Sequence, residues 1–427
     1  MKTTNALFLS VWLAAAAAGM ARADDEKAGP SVAGVIGKLD AGAETVRVVC
    51  FGDSITGVYY HTGSRRAWTD MLGIALRKQW PRARVETINA GISGNTTAQG
   101  LARMEKDVIA RRPDLVAVMF GMNDAVATPV ETYAANLRRI AENCREAGAA
   151  VVFCTPNSVT ENPQRPNARL AEFAAAMRRT GGDLGWPVAD AFADWEALRR
   201  RDFREWTLSM SETIHPNLNG HRRFAELIAS ELAGKPVMLT DEDAGFARDR
   251  LSRTRARLEA GKPVKIVAMP PFDRLFAGEI RERFPDARLE VTPWPWSGAG
   301  PVQTGGDGWV AGGRAAAKGF AREIRERHPD LVVVAPPASV NAGADEALFV
   351  ADAQWMLNLA FPFGREEWEV VAVLPEVAEP DPSFDPIRRE ILKRMMLGKD
   401  VNPLTRGEGD RRPAADLIRD TVAGENG

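Results

Sequence analysis

The sequence predicts an α/β protein: a three-layer, doubly wound parallel sheet, with the whole pattern duplicated. Three observations predict it. Near-continuous apolar runs alternate with amphipathic segments, polar motifs follow directly after the runs, and four short peptides recur in the second half in the same order. Strands covered on both faces read as unbroken apolar stretches, and alternating helices are what cover them.

The strands predicted for the first half are Val46–Phe51, Arg84–Asn89, Leu115–Phe120, Ala149–Cys154 and a short Trp186–Ala189. Helices are predicted around Trp68–Gln79, Thr97–Arg111, Tyr133–Glu146 and Ala168–Arg179, from apolar residues at helical spacing. A parallel sheet of this kind binds its ligand at the carboxyl ends of the strands, so chemistry belongs just after each apolar run.

The repeat is visible in four matching peptides. Pro81 to Gly94 matches Pro285 to Gly298, and Arg112 to Val118 matches His328 to Val334. Val46 to Val49 resembles Val264 to Val267, and Val151 to Pro156 resembles Val370 to Pro375. The four offsets, 204, 216, 218 and 219, are close enough for one duplicated domain with small insertions. Between the copies, 236–262 is dense in Arg, Asp and Glu. Thr240 followed by Asp243 is a capping signal, and Gly261 with Pro263 marks an end, so this stretch reads as a charged helical connector. The domains expected are therefore 24–235 and 263–427. Past Pro380 the chain is polar, with one helix candidate at Ile387–Met396, and it frays after about Val422.

The composition sets bounds on function. The chain has 427 residues, 45% of them apolar and 26% charged, the balance of a globular protein with ample core. Lys and Arg number 55 against 57 Asp and Glu, which gives no support to a nucleic-acid partner. Four histidines and three cysteines are too few to suggest a zinc cage or a disulfide scaffold. Cys50 and Cys154 fall within apolar strands and Cys144 on a helix, so all three read as buried, inert thiols. At the start, Lys2, an apolar run from Leu7 to Ala18 and the small-residue site Ala21-Arg22-Ala23 have the anatomy of a signal peptide over 1–23. The expectation is export to a periplasmic or extracellular space, with no integral membrane association after cleavage. Removing Lys2 and Arg22 leaves 53 cationic against 57 acidic side chains, a net charge of −4.

Four motifs stand at the ends of the predicted first-half elements. Gly52-Asp53-Ser54-Ile55-Thr56 follows the first strand, Gly91-Ile92-Ser93-Gly94-Asn95 the second, and Gly121-Met122-Asn123-Asp124 the third. Glu212-Thr213-Ile214-His215-Pro216-Asn217 comes late in the copy. A serine hydroxyl needs a base within hydrogen-bond reach, the base needs an orienting carboxylate, and an oxyanion needs fixed donors. Ser54 is the candidate nucleophile and His215 the candidate base. Taken singly, each has a plainer reading: Ser54 as a helix cap, Gly94 and Asn123-Asp124 as turn residues, His215 as a surface turn. Asp53 and Asp124 read as loop organisers. His221 is the rival base, and Tyr59 to Gly63 lines either an acyl pocket or ordinary core.

The four motifs in this order resemble the SGNH/GDSL hydrolase superfamily, over about Val46 to Leu232. The resemblance implies the flavodoxin-like hydrolase fold, a serine carboxylic ester hydrolase, and no metal or cofactor. It also implies oxyanion donors from the backbone N–H groups of Ser54 and Gly94 and from the side-chain amide of Asn123. In one place the chain departs from the pattern: Glu212 stands where the family usually has aspartate. The third member of the triad is thus Glu212 or an acid supplied elsewhere. The Gly-x-Ser-x-Gly elbow of α/β-hydrolases is absent around Ser54. The substrate expected is a small acyl ester, O-acetyl on a glycan. Lysophospholipases and thioesterases belong to the same superfamily, and a non-catalytic glycan-binding protein is the reading from another class.

In the second copy the place of Ser54 falls on Phe272 and that of Asn123 on Ser339; Gly94 has its counterpart in Gly298, and no histidine follows His328. This copy is expected to be a degenerate, non-catalytic domain. Trp294 and Trp296 replace lost loops, either as buried fillers or as sugar-stacking platforms. Nothing in Gly305 to Gly319 ends in a phosphate-cradling Gly-Lys-Ser/Thr.

Overall fold

The computed structural model describes residues 29–424, apart from 161–162, 246–250, 295–321, 337–345, 363–366 and 379–384. The predicted signal segment, Trp296, Gly298, Gly305 to Gly319 and Ser339 lie outside the described residues.

Two parallel sheets form. The first contains β1 (Thr45–Gly52), β2 (Arg84–Gly91), β3 (Leu115–Met119), β4 (Ala150–Cys154) and β5 (Val188–Ala189), in the order β2-β1-β3-β4-β5. The second contains β6 (Val264–Ala268), β7 (Leu289–Pro293), β8 (Leu331–Val334) and β9 (Glu369–Ala372), in the order β7-β6-β8-β9. In each, the chain moves from its first strand to one neighbour and then crosses to the other side. That reversal opens a crevice at the strands' carboxyl ends, between β1 and β3 in the first sheet. β3 and β4 are buried at every position, as their unbroken apolar runs require.

Helix Trp68–Gln79 has the predicted bounds. The predicted Thr97–Arg111 is an α-helix only to Asp107, followed by a 3-10 turn, Ile109–Arg111, and by Arg112 at φ 52°. The helix expected to end at Arg179 runs on, as Asn167–Leu184, through Gly181 and Gly182. Gly181 is there for close packing: a Cβ would lie 2.3 Å from the Val188 side chain, so the pair of glycines does not stop the helix. The connector over 236–262 is not one helix. Thr240 and Asp243 do form the predicted capping box, but that helix, Asp241–Ala244, ends at Gly245, whose φ is 56°. A second helix follows at Ser252–Glu259. Helix Pro386–Leu397 covers the predicted segment, and Ala414–Ala423 adds one that the polar, proline-bearing tail concealed. It packs Leu417, Ile418 and Val422 into the same core as Phe272, Phe276 and Ile280.

The two halves share small details at the amino ends of matching strands. Arg112 and His328 both adopt a left-handed backbone, at φ 52° and 46°. Two residues on, Asp114 accepts a hydrogen bond from Arg47 N at 2.8 Å, and Asp330 accepts one from Lys265 N at 2.9 Å. Both aspartates also accept at their own carbonyls, from Ala150 N and Glu369 N at 2.9 and 3.0 Å.

The residues of β6 and β8 alternate between two cores. Val267, Val332 and Val334 face a cluster that includes helices Glu346–Ala360 and Pro386–Leu397 and reaches Leu208 and Tyr60 of the first half. Val264, Ile266, Leu331 and Val333 face the other. The first cluster joins the halves, and ion pairs flank it: Arg204 with Glu346, Arg394 with Glu205, and Arg66 with Asp400.

All three cysteines are buried and unpaired. Burial pushes Cys144 up to about 12 and raises Cys50 and Cys154 as well, so the thiols stay protonated.

Candidate active site

β1 ends at Gly52, where any side chain would collide with Thr56 and with the Met119 carbonyl. This close approach carries the chain into a tight turn directly over the crevice. Within it Asp53 is buried, its Oδ1 accepting from Ile55 N at 2.9 Å, while Thr56 and Gly57 donate to the Asp53 carbonyl. Burial pushes the Asp53 carboxyl up to about 7, against the opposing Ile55 hydrogen bond. It works as the loop organiser that the sequence suggested.

Ser54 sits in this turn, 8% exposed, and its Oγ lies 2.8 Å from His215 Nε2 across 161 residues of chain. On the other side of the ring, His215 Nδ1 lies 2.5 Å from Glu212 Oε1. A carboxylate only accepts, so Nδ1 carries the proton and Nε2 is left to accept from the serine. Glu212 also receives the backbone N–H of His215 at 2.8 Å and that of Ile214 at 3.2 Å, with the Thr213 hydroxyl at 3.0 Å. Burial alone would raise the Glu212 carboxyl. The facing His215 charge and these hydrogen bonds outweigh it and hold the group at about 2. Glutamate thus reaches the imidazole despite its extra methylene, because it folds back onto its own loop. Asn217 fixes the far end of that loop. It caps helix Leu218–Ala233 by accepting from Asn219 N and Gly220 N, and it donates to the Leu208 and Met210 carbonyls.

The second and third motifs come to the same crevice. Gly94 adopts φ 78° with open space where a Cβ would stand. Asn123 donates from Nδ2 to the Asn95 carbonyl at 3.1 Å, which sets the amide beside the Gly94 loop. The second Nδ2 proton, Ser54 N–H and Gly94 N–H have no acceptor among the described residues. Asp124 anchors helix Thr97–Asp107, taking Thr97 N at 3.0 Å and the Thr97 hydroxyl at 2.5 Å. Its role is structural, as expected. The loops are tied to one another: Asn89 donates to the Thr56 carbonyl at 2.7 Å, and Ser93 N to the Tyr59 hydroxyl at 3.0 Å.

His221, the rival base, is brought elsewhere. It is 1% exposed, and its Nδ1 accepts from Trp68 N at 3.0 Å, which occupies the one lone pair a neutral imidazole has to offer. Burial lowers its pKa to about 3, so it stays neutral. In the second half, Phe272 is buried in the place matching Ser54, and Trp294 is buried at 1% exposure, a filler and no platform.

Two features were not read from the sequence as site residues. Arg165 donates from Nε to the Met122 carbonyl at 3.1 Å and from Nη2 to Asn123 Oδ1 at 3.3 Å, which turns the amide nitrogen of Asn123 toward the crevice. No motif marks it, since it lies in a loop between elements. His61 stacks on His215, ring centroids 3.8 Å apart and planes at 11°. The run Tyr59 to Gly63 reads from sequence as acyl-pocket lining or ordinary core, and neither reading places its histidine against the base.

His61, Glu212 and His215 place ligand-type atoms within 4.8 Å of one another. Two of the three already bond each other. The stacked rings hold their lone pairs in parallel planes, whereas an ion at about 2.0–2.1 Å would need them to converge. The group is a hydrogen-bonded pair with a ring behind it.

Residues 50–223 match the GDSL-like lipase/acylhydrolase family. An arylesterase of Vibrio mimicus is 31% identical over 195 residues, 44% of this chain and 88% of that protein. An acetylxylan esterase of Geobacillus stearothermophilus is 24% identical over 172 residues, 37% of this chain and 76% of that protein. A crystal structure of the acetylxylan esterase Axe2 from the same organism superposes with a TM-score of 0.39 at 22% identity, covering 44% of this chain and 94% of that one. With its four motifs gathered at one crevice and that degree of identity to the arylesterase, the chain belongs to the GDSL-like lipase/acylhydrolase family.

Proposed function

We propose that the protein is an exported serine esterase that removes small acyl groups, O-acetyl from carbohydrate above all, with Ser54, His215 and Glu212 as its triad. The observation that carries this reading is the 2.8 Å contact between Ser54 Oγ and His215 Nε2, backed by the 2.5 Å contact from His215 Nδ1 to Glu212. Ser54 Oγ attacks the ester carbonyl and passes its proton to His215 Nε2. The imidazolium, steadied by the Glu212 carboxylate, then protonates the departing alcohol. Water, deprotonated by His215, attacks the acyl-Ser54 carbonyl, and the acid leaves as Ser54 recovers its proton. During both additions the oxyanion is met by Ser54 N–H, Gly94 N–H and the free Asn123 amide proton. The absence of acceptors for these donors among the described residues supports that role.

The acetyl and carbohydrate preference draws on the acetylxylan esterase relative and on the acidic balance of the chain. No described helix is long and apolar enough to cross a membrane. The signal-like residues 1–23 support export. We assign 24–235 to the catalytic unit and read 263–427 as a degenerate second copy. The shared strand order and the paired Asp114 and Asp330 contacts support the duplication. Acetate release from a panel of acetylated polysaccharides, set against aryl esters of increasing acyl length, tests the substrate class. The expected result is release from the glycans and a rate falling with acyl length. Preference for long-chain acyl or thioester substrates would replace it with the lysophospholipase or thioesterase reading.

A further inference from the structure

Lys399 lies in the second half, just past helix Pro386–Leu397, yet its Nζ ends beside the loops that carry His215 and Glu212. It is 2% exposed. Nζ donates to the Ser211 hydroxyl at 2.6 Å, to the Tyr60 and His61 carbonyls at 3.1 Å each, and to Asn358 Oδ1. Asn358, on helix Glu346–Ala360, also takes the Ser211 hydroxyl proton at 3.1 Å and donates back to the Ser211 carbonyl at 3.0 Å. With the Ser211 proton committed to Asn358, His61 Nδ1, 3.3 Å from Ser211 Oγ, is the donor in that contact. Ser211 directly precedes Glu212, and its N–H donates to the His215 carbonyl at 2.8 Å. The neighbours of Lys399 grip the same two loops: the Gly398 carbonyl accepts from Leu218 N at 2.7 Å, and the Asp400 carboxylate binds Arg66.

We propose that Lys399 and Asn358 are positioning residues for hydrolysis: through Ser211 and His61 they clamp the catalytic imidazole from behind. The clamp deepens the serine-esterase reading and rests on it. Its logic is geometric. The Lys399 contacts are to oxygens, three of them carbonyl-type and able only to accept, so the buried amine is fully employed as a tie between the 60–66 and 211–218 loops. Burial keeps the stacked His61 neutral, which lets it lie against the imidazolium of His215 without charge repulsion. A degenerate copy would thus serve the first by supplying the amine that holds its base in line.

The test uses the full-length protein, with variants Lys399→Met, His61→Ala and His61→Phe, and steady-state hydrolysis of an aryl acetate. Lys399→Met keeps the length of the side chain and removes its donors. Its kcat is expected to fall about 10- to 100-fold, with KM changed less than about twofold, since a small displacement of a catalytic group costs rate more than binding. His61→Ala should lose kcat to a similar degree, and His61→Phe, which keeps a flat ring against His215, should recover most of it. The low-field proton resonance of the His215–Glu212 hydrogen bond should weaken in Lys399→Met and His61→Ala and persist in His61→Phe. If Lys399→Met does not fold, the His61 pair decides. A kcat within twofold of wild type for the folded variants, a loss confined to KM, or a His61→Phe rate as low as that of His61→Ala overturns the clamp. Fluorophosphonate labelling of the wild type separates this from failure of the parent reading: an unlabelled Ser54 would reject the esterase itself, whereas a labelled one with unaffected variants rejects only the clamp.

Discussion

After β1 the chain turns through Asp53 and Ser54, and the serine meets an imidazole; after β6, at the matching place, it turns through Pro271 into Phe272, whose ring is buried with Ile266, Ala268 and Phe276. At the amino ends of the strands the halves agree in detail, with Arg112 and His328 left-handed and Asp114 and Asp330 bonded to equivalent backbone groups. Agreement therefore lies at the end of the sheet that holds the frame together, and divergence at the end where a parallel sheet does its chemistry. A sheet of this kind can exchange its polar loop for core without loss of architecture. In the second half Phe272 and Trp294 are buried at that end. The second half keeps contact with the reaction from the outside, through Lys399 and Asn358.

The comparison breaks most easily at the triad. Ser54→Ala and His215→Ala are each expected to lower kcat for an aryl acetate by on the order of 10⁴–10⁶-fold, since the two groups act as one unit. Glu212→Gln should cost less, about 10²–10⁴-fold, because the geometry survives while the imidazolium loses its counter-charge. A wild-type rate for Glu212→Gln would remove that residue from the mechanism. Asn123→Ala removes one oxyanion donor and should cost about 10²–10³-fold in kcat, read from the same assay. At the other pole stands Phe272→Ser, which places a serine in the second half. It should add no hydrolysis above that of a Ser54→Ala background, while costing about 3–5 kcal/mol of stability in a denaturant titration for the lost ring.

A smaller effect belongs to pH. The Glu212 carboxyl is held at about 2 in the folded chain against an ordinary 4.5. Its depressed pKa contributes stability that is present above about 4.5 and is lost as pH falls toward 2. Unfolding free energies measured across that window should fall more steeply for the wild type than for Glu212→Gln.

Much of the frame was legible because period and burial agree. Unbroken, β-branched runs as short as Leu115 to Met119 and Ala150 to Cys154 read as strands covered on both faces, and helix Trp68–Gln79 carries its apolar residues on one side. What misled was glycine. Gly181 reads as a stop but serves close packing, while Gly245 does stop a helix that the charge pattern prolonged. Ser54, Gly94, Asn123 and His215 were legible because each stands in a motif at a strand end or late loop. Glu212 was left open, since reach depends on how a loop folds back and spacing does not report it. Arg165, Asn358 and Lys399 carry no local signature at all. Their partners lie 41 to 339 residues away, and only the packed structure brings them together.

The central claim, that Ser54 is a nucleophile activated by His215, is tested most directly by intact-mass analysis after treatment with a fluorophosphonate. The prediction is one covalent adduct on the wild-type chain, mapped to Ser54, absent from Ser54→Ala and formed far more slowly on His215→Ala. A folded wild-type protein that gains no adduct, or one that is modified equally well without His215, would contradict it.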